Sequence, residues 1–139
     1  MELMCIQSDI EKHGHDFFRT WDNGTAAYEK RGIATSVPQW KIENCIQCNQ
    51  CAYVCPHAAI RPFLATEEQA EASGLEWKQG LGETKHLKFR IQLSPMDCTG
   101  CNNCVDVCPA KDKALVMRPL AEQVEQAKNW DYITKNIGY

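Results

Sequence analysis

Residues 45–56 read Cys45-Ile46-Gln47-Cys48-Asn49-Gln50-Cys51-Ala52-Tyr53-Val54-Cys55-Pro56, and residues 98–109 read Cys98-Thr99-Gly100-Cys101-Asn102-Asn103-Cys104-Val105-Asp106-Val107-Cys108-Pro109. Both follow the spacing C-x2-C-x2-C-x3-C-P, an established iron–sulfur pattern of bacterial proteins. Three cysteines at i, i+3 and i+6 on a loop can wrap three iron corners of one cube. The fourth comes four residues later, once the chain has entered a short helix, and points away from that cube. In two-cluster proteins it binds the other cluster. The paired runs therefore predict two 4Fe-4S clusters with crossed ligands: Cys45, Cys48, Cys51 and Cys108 on the first, and Cys98, Cys101, Cys104 and Cys55 on the second. Pro56 and Pro109 each remove a backbone donor and turn the chain out of the helix.

The residues between the cysteines suit a tight wrap. Such a loop needs left-handed backbone conformations, which glycine, then Asn and Asp, adopt most readily. Asn49 and Asn102 follow the second cysteine of their runs, and Gly100 gives the second loop further freedom. Backbone N–H groups in loops of this kind can hydrogen-bond the sulfurs and tune the potential.

Other uses of cysteine fit poorly. Structural zinc usually pairs two C-x2–4-C hooks across a long gap, unlike three cysteines in immediate succession. A disulfide scaffold expects an even count and export, whereas the chain has 9 cysteines in 139 residues. Met1-Glu2-Leu3-Met4 carries an early acid and no apolar core of a signal peptide, and no stretch is long and apolar enough to span a bilayer. The expectation is a reducing, cytoplasmic setting with no membrane, and Cys5 as a spectator thiol.

Fifteen Lys and Arg against 18 Asp and Glu give a net charge of −3. Four thiolates around each oxidised cube add about −2 per cluster, for a total of roughly −7. This argues against nucleic acid, which favours a basic stripe, and suits a partner with a positive surface.

Taken in order, residues 1–35 read as an N-terminal arm or linker with Phe17, Phe18 and Trp21 as anchors. His13 and His15 read as loop residues, since two histidines alone make no metal site. Residues 36–119 read as the two-cluster domain, and residues 120–139 as a C-terminal amphipathic helix. Val37–Ile42 and Ala58–Phe63 read as strands flanking the first cysteine run, with Pro62 confining the latter to an edge or strand end. Leu87–Leu93 alternates apolar and polar with period two, the mark of a strand, and Ala114–Met117 closes the second half. Strand, loop, helix and strand thus occur twice. The expected fold class is α+β: a ferredoxin-like, pseudo-symmetric two-cluster fold with an insertion between halves and a C-terminal helix. The insertion spans about residues 64–86, with Thr66-Glu67-Glu68-Gln69 as a capping box, Gly74 as helix stop, and Gly80 and Gly82 in an exposed loop. At the C-terminus, Leu120, Val124, Ala127, Trp130 and Ile133 recur on one helix face. Trp130 and Tyr132 are available there either to pack on the domain or to anchor it to a larger assembly. His57 and Lys111, beside the fourth cysteines, read as loop residues rather than as a proton relay.

Beyond the spacing, Pro38-Gln39-Trp40, the first cysteine run, Val54-Cys55-Pro56-His57-Ala58-Ala59-Ile60-Arg61-Pro62-Phe63, Asp97-Cys98-Thr99-Gly100-Cys101 and Lys113-Ala114-Leu115-Val116-Met117 resemble the iron–sulfur domain of pyruvate:ferredoxin (flavodoxin) oxidoreductases. Gly24–Gly32 is similar to the segment entering that domain, and the resemblance covers about residues 24–132. It implies one module of a much larger enzyme, which decarboxylates pyruvate on thiamine diphosphate and sends electrons through clusters to ferredoxin or flavodoxin. The implied partners are the remaining domains of that oxidoreductase and the external acceptor. Alone, the chain would have no catalytic centre and would move electrons without making covalent bonds. A stand-alone ferredoxin and a redox-silent scaffold are the alternatives.

Overall fold

The computed structural model describes residues 30–138. Cys5, His13, His15, Phe17, Phe18 and Trp21 lie outside the described residues. Strand β1 (Ser36–Trp40) pairs antiparallel with β5 (Leu115–Pro119), Ser36 facing Pro119 and Trp40 facing Leu115. Strand β2 (Ile60–Ala65) pairs antiparallel with β4 (Lys88–Leu93), Ile60 facing Leu93 and Ala65 facing Lys88. Each pair thus joins a strand that ends before residue 66 to one that begins after residue 87. Strand β3 (Lys78–Gln79) adds to the free side of β4, giving the order β2-β4-β3. The fold is α+β, with one two-stranded and one three-stranded sheet. Pro62 occupies the edge strand β2, where a missing donor is tolerated.

The helices beside the cysteines are minimal. Helix α1 (Gln50–Tyr53) and helix α3 (Asn103–Asp106) are four residues each, well below the length at which a helix is stable alone. Helix α2 (Glu67–Ser73) has the expected ends. The Thr66 hydroxyl accepts from the Gln69 N–H, the Gln69 side chain accepts from the Thr66 N–H, and Gly74 stops the helix at φ 63°. Helix α4 (Glu125–Asn136) follows a 3-10 turn at Leu120–Glu122.

Two apolar clusters result. The first gathers Val37, Ile60, Phe89, Ile91, Leu93 and Leu115, with Cys104 inside it and Cys45, Cys51, Cys55 and Cys98 packed against it. The second joins Phe63, Trp130 and Ile133, flanked by Leu75, Trp77 and Ile137. Phe63 and Trp130 meet edge to face at 5.9 Å, and the Arg61 guanidinium lies 5.6 Å from the Trp130 ring.

Several expectations need correction. The strand predicted from the alternation forms as β4, but Phe89 to Leu93 are all buried, Arg90 and Gln92 included. Helix α4 closes over the polar positions: Gln92 Nε2 donates to Gln126 Oε1 at 2.7 Å, and Arg90 Nε donates to Gln92 Oε1 at 2.9 Å. Arg90 also donates to the Glu76 carbonyl, and its guanidinium lies 5.7 Å from the Trp40 ring. Burial pulls its pKa below the usual arginine value, against the opposing charge of Glu76.

Trp130 is internal, so it serves the domain's own core and not an outside anchor. The helix begins at Glu125, leaving Val124 half exposed and off the packed face. The span 64–86 begins inside β2 and contributes β3 to the sheet. Gly80 is buried, not part of an exposed loop. Its N–H donates to the Leu87 carbonyl at 2.9 Å, and a Cβ there would collide with the Thr84 and Leu87 carbonyl oxygens.

Because Trp130 closes the second cluster, Trp130→Ala is expected to destabilise the domain by about 3–5 kcal/mol. Val124→Ala should stay within about 0.5 kcal/mol. Denaturant titration of the two variants measures both.

Candidate metal centre

The two cysteine runs adopt the same local backbone. Gln47 and Gly100 precede the second cysteine with φ of 59° and 71°, and Asn49 and Asn102 follow it with φ of 60° and 68°. Two left-handed residues around one cysteine bend each loop back on itself, so its three thiols face inward. At Gly100 the glycine is needed twice over, because a Cβ would stand 2.9 Å from the Ser36 carbonyl oxygen. The asparagines were legible as left-handed positions; Gln47 was not, since glutamine has no special tolerance for that region. Its side chain is anchored, Nε2 donating to the Gln79 carbonyl at 2.7 Å.

After each loop, α1 or α3 carries the chain one turn, and the fourth cysteine leaves on the far side. One cavity, of about 330 Å³ with its open mouth included, is bordered by Cys45, Cys48, Cys51 and Cys108. A second, of about 370 Å³ measured alike, is bordered by Cys55, Cys98, Cys101 and Cys104. Each cavity therefore collects three cysteines of one run and the last cysteine of the other. Apolar residues complete the walls: Trp40, Ile91 and Leu115 at the first, Pro38, Ile60 and Leu93 at the second. Among the described residues no three Cys, His, Asp or Glu side chains converge closely enough to hold a single metal ion. The thiols ring a volume, not a point, which suits a polynuclear group.

The donor set also fits an anionic sulfur-rich group. Backbone N–H groups already point at three of the thiols: Ala59 to Cys55 Sγ at 3.3 Å, Gly100 to Cys98 Sγ at 3.4 Å, and Ala114 to Cys108 Sγ at 3.4 Å. Trp40, which lines the first cavity, has a buried indole N–H with no partner among the described residues. Without metal, three of the thiols resist ionisation. Burial, reinforced by the neighbouring cysteines, pushes Cys51 up to about 11 and Cys104 up to about 12, and raises Cys98. His57 and Lys111 are exposed, as expected of loop residues.

Comparison with known proteins agrees with this geometry. A family model described as a 4Fe-4S dicluster domain matches residues 44–111, which contain both cysteine runs. The chain carries a 4Fe-4S dicluster domain. A second dicluster model matches residues 4–59, reaching into a segment where the sequence alone suggested no resemblance. The dicluster chain is 61% identical over 111 residues to the pyruvate:ferredoxin oxidoreductase of Moorella thermoacetica, covering 75% of this chain and 9% of that protein. It is 50% identical over 115 residues to the pyruvate-flavodoxin oxidoreductase of Enterobacter agglomerans, covering 81% and 10%. It is 43% identical over 119 residues to the mitochondrial pyruvate dehydrogenase [NADP(+)] of Euglena gracilis, covering 84% and 6%. The chain thus spans about a tenth or less of the length of these curated relatives. It is homologous to the iron–sulfur region of the pyruvate:ferredoxin and pyruvate-flavodoxin oxidoreductases, and its cofactors are two 4Fe-4S clusters. Among the described residues, no helix is long and apolar enough to cross a membrane.

Thiol chemistry of the cluster-free chain checks the burial. At pH 8, iodoacetamide is expected to modify the exposed Cys48 and Cys101 first. Cys51 and Cys104 should lag, their rates climbing with pH until about 11 and about 12, where each thiolate is formed. A folded-state pKa above the unfolded one means the native thiol keeps its proton longer, so these two groups support the cluster-free fold below about 9 and cease to as pH rises through 11 to 12. Mass spectrometry of timed, pH-jumped samples follows the order of modification.

Proposed function

We propose that Cys45, Cys48, Cys51 and Cys108 hold one cluster and Cys98, Cys101, Cys104 and Cys55 hold the other, and that the domain passes electrons inside a pyruvate (2-oxoacid) oxidoreductase. The observation that carries this reading is the exchange of fourth cysteines between the two cavities. When bound, each cluster supplies a reversible one-electron couple. The protein's own contribution is to bind, orient and insulate. The cysteines fix the two sites, and the apolar walls keep water from their inner sides. The Ala59, Gly100 and Ala114 N–H groups donate to ligand sulfurs, which favours the more negative, reduced state.

In this reading electrons arrive from an intermediate formed on thiamine diphosphate in another part of the enzyme and leave to ferredoxin or flavodoxin. The acidic balance of 18 Asp and Glu against 15 Lys and Arg suits an acceptor surface with complementary charge. The division into an arm at 1–35, a cluster domain at 36–119 and a terminal helix at 120–139 is kept with it. So is a cytoplasmic location, where thiols stay reduced until iron is delivered. The repeated left-handed positions and the crossed strand pairs support a pseudo-two-fold relation between the halves.

Anaerobically reconstituted chain is expected to contain about eight iron and eight acid-labile sulfides, the stoichiometry of two cubes. Zinc without labile sulfide would overturn the assignment. Cys55→Ala should deplete the cluster bound mainly by the second run, and Cys108→Ala the one bound mainly by the first. Iron content and EPR of the reduced variants separate this from uncrossed binding, in which the damage would swap.

A further inference from the structure

Lys78 lies in the segment between the two cysteine runs, on β3, yet its side chain ends in the first cysteine loop. Its Nζ donates to three carbonyl oxygens there: Ile42 at 3.1 Å, Glu43 at 3.3 Å and Cys45 at 2.7 Å. The strand beneath it is fixed, with Lys78 facing Phe89 and Gln79 facing Lys88 on β4. A second tie runs the other way, from Gln47 of the loop to the Gln79 carbonyl. The opposite side of the same cavity has its own ammonium group. Lys113 Nζ donates to the carbonyls of Asp106 at 3.0 Å and Cys108 at 2.8 Å. Cys45 and Cys108 border one cavity, so two of its four thiol-bearing residues have their carbonyls bound to lysine ammonium groups.

We propose that Lys78, assisted by Lys113, raises the reduction potential of the cluster held by Cys45, Cys48, Cys51 and Cys108. Reduction adds one electron to a group that is already anionic. A fixed cation bonded to the backbone of a ligand residue favours the added charge; Lys78 acts in a partly buried setting where water screens it weakly, whereas Lys113 is exposed and more strongly screened. Lys78 is a positioning residue: it acts through the loop backbone. A purely mechanical clamp would hold the loop equally well, but it would leave the potential of a retained cluster unchanged. The charge is therefore what the test has to isolate.

The inference rests on the crossed assignment above. The experiment is a dithionite redox titration of the reconstituted full chain, followed by EPR, on Lys78→Gln, Lys78→Met and Lys78→Arg. Gln and Met should lower the reduction equilibrium of one cluster roughly three- to tenfold, tenfold being about 59 mV for one electron. Arg should keep it near the parent value, and the second cluster should stay in place. The signal that moves is expected to be the one that Cys108→Ala depletes. Where Lys78→Met fails to retain that cluster, Lys113→Gln supplies the measurement and should shift the same signal downward. An unchanged potential in neutral variants with full iron content would overturn the proposal, as would equal shifts of both clusters. If instead a signal moves but is the one that Cys55→Ala depletes, the ligand assignment fails and not the effect of charge.

Discussion

The structure depends on one exchange: Cys55 faces the cavity of the second cysteine run, and Cys108 faces the cavity of the first. In the proposed ligation neither half completes its own site. For the exchange to work, the chain on both sides of each run must lie against the other half, and the strand pairs meet that requirement. β1 has its partner at the far end of the sequence in β5, and β2 pairs with β4. Almost nothing in this arrangement is local. Bringing such distant segments together carries a loop-closure cost before any contact rewards it. Metal binding is well placed to offset that cost, because cluster sites are absent from the unfolded chain and their binding free energy becomes folding free energy.

The loops show the same economy from the opposite side. Gln47, Asn49 and Asn102 are non-glycine residues with left-handed backbones, each at a cost of order 1–3 kcal/mol. Helices α1 and α3 are single turns with no side-chain cap. Cys51, half-buried, and Cys104, buried, sit where their ionised forms are disfavoured. A chain without metal gains little from any of these features. In the proposed ligation, the left-handed turns would aim the thiols and the short helices would re-aim the fourth cysteine. The protons that burial holds on the thiols are then displaced by positive charge.

What the sequence made legible follows from this. The cysteine spacing is a direct record of the geometry, so the loops, the flanking strands and the α+β class could be read from it. The Thr66 box and Gly74 are local signals, and both held because capping is decided by neighbours within four residues. The failures lie where a distant segment decides. Arg90 and Gln92 are the polar positions of the alternation, and their burial follows only once α4 covers them and supplies Gln126 as a partner. Gly80 looks like loop punctuation until the Leu87 carbonyl closes over it. Trp130 reads either as packing on the domain or as reaching outward, because nothing near it in sequence announces Phe63. Gln47 carries no signal at all, since its conformation is held by Gln79, 32 residues away.

The cysteine runs are close to equivalent, in spacing, in backbone and in the cavity each borders. Differences between the two sites come from the walls, where Trp40 lines the first cavity alone, and from what braces the loops. The segment between the runs is that brace, and it acts on one side. Its strand β3 receives Gln47 from the first loop and sends Lys78 back into it. The second loop is braced differently, by the close approach of Gly100 to the backbone at Ser36. Lys78 puts an ammonium group at the Cys45 carbonyl of the first loop, and Lys113 puts one at the Asp106 and Cys108 carbonyls of the second run. If Lys78 tunes one cluster as proposed, the difference between two similar sites is written outside the motif that binds them.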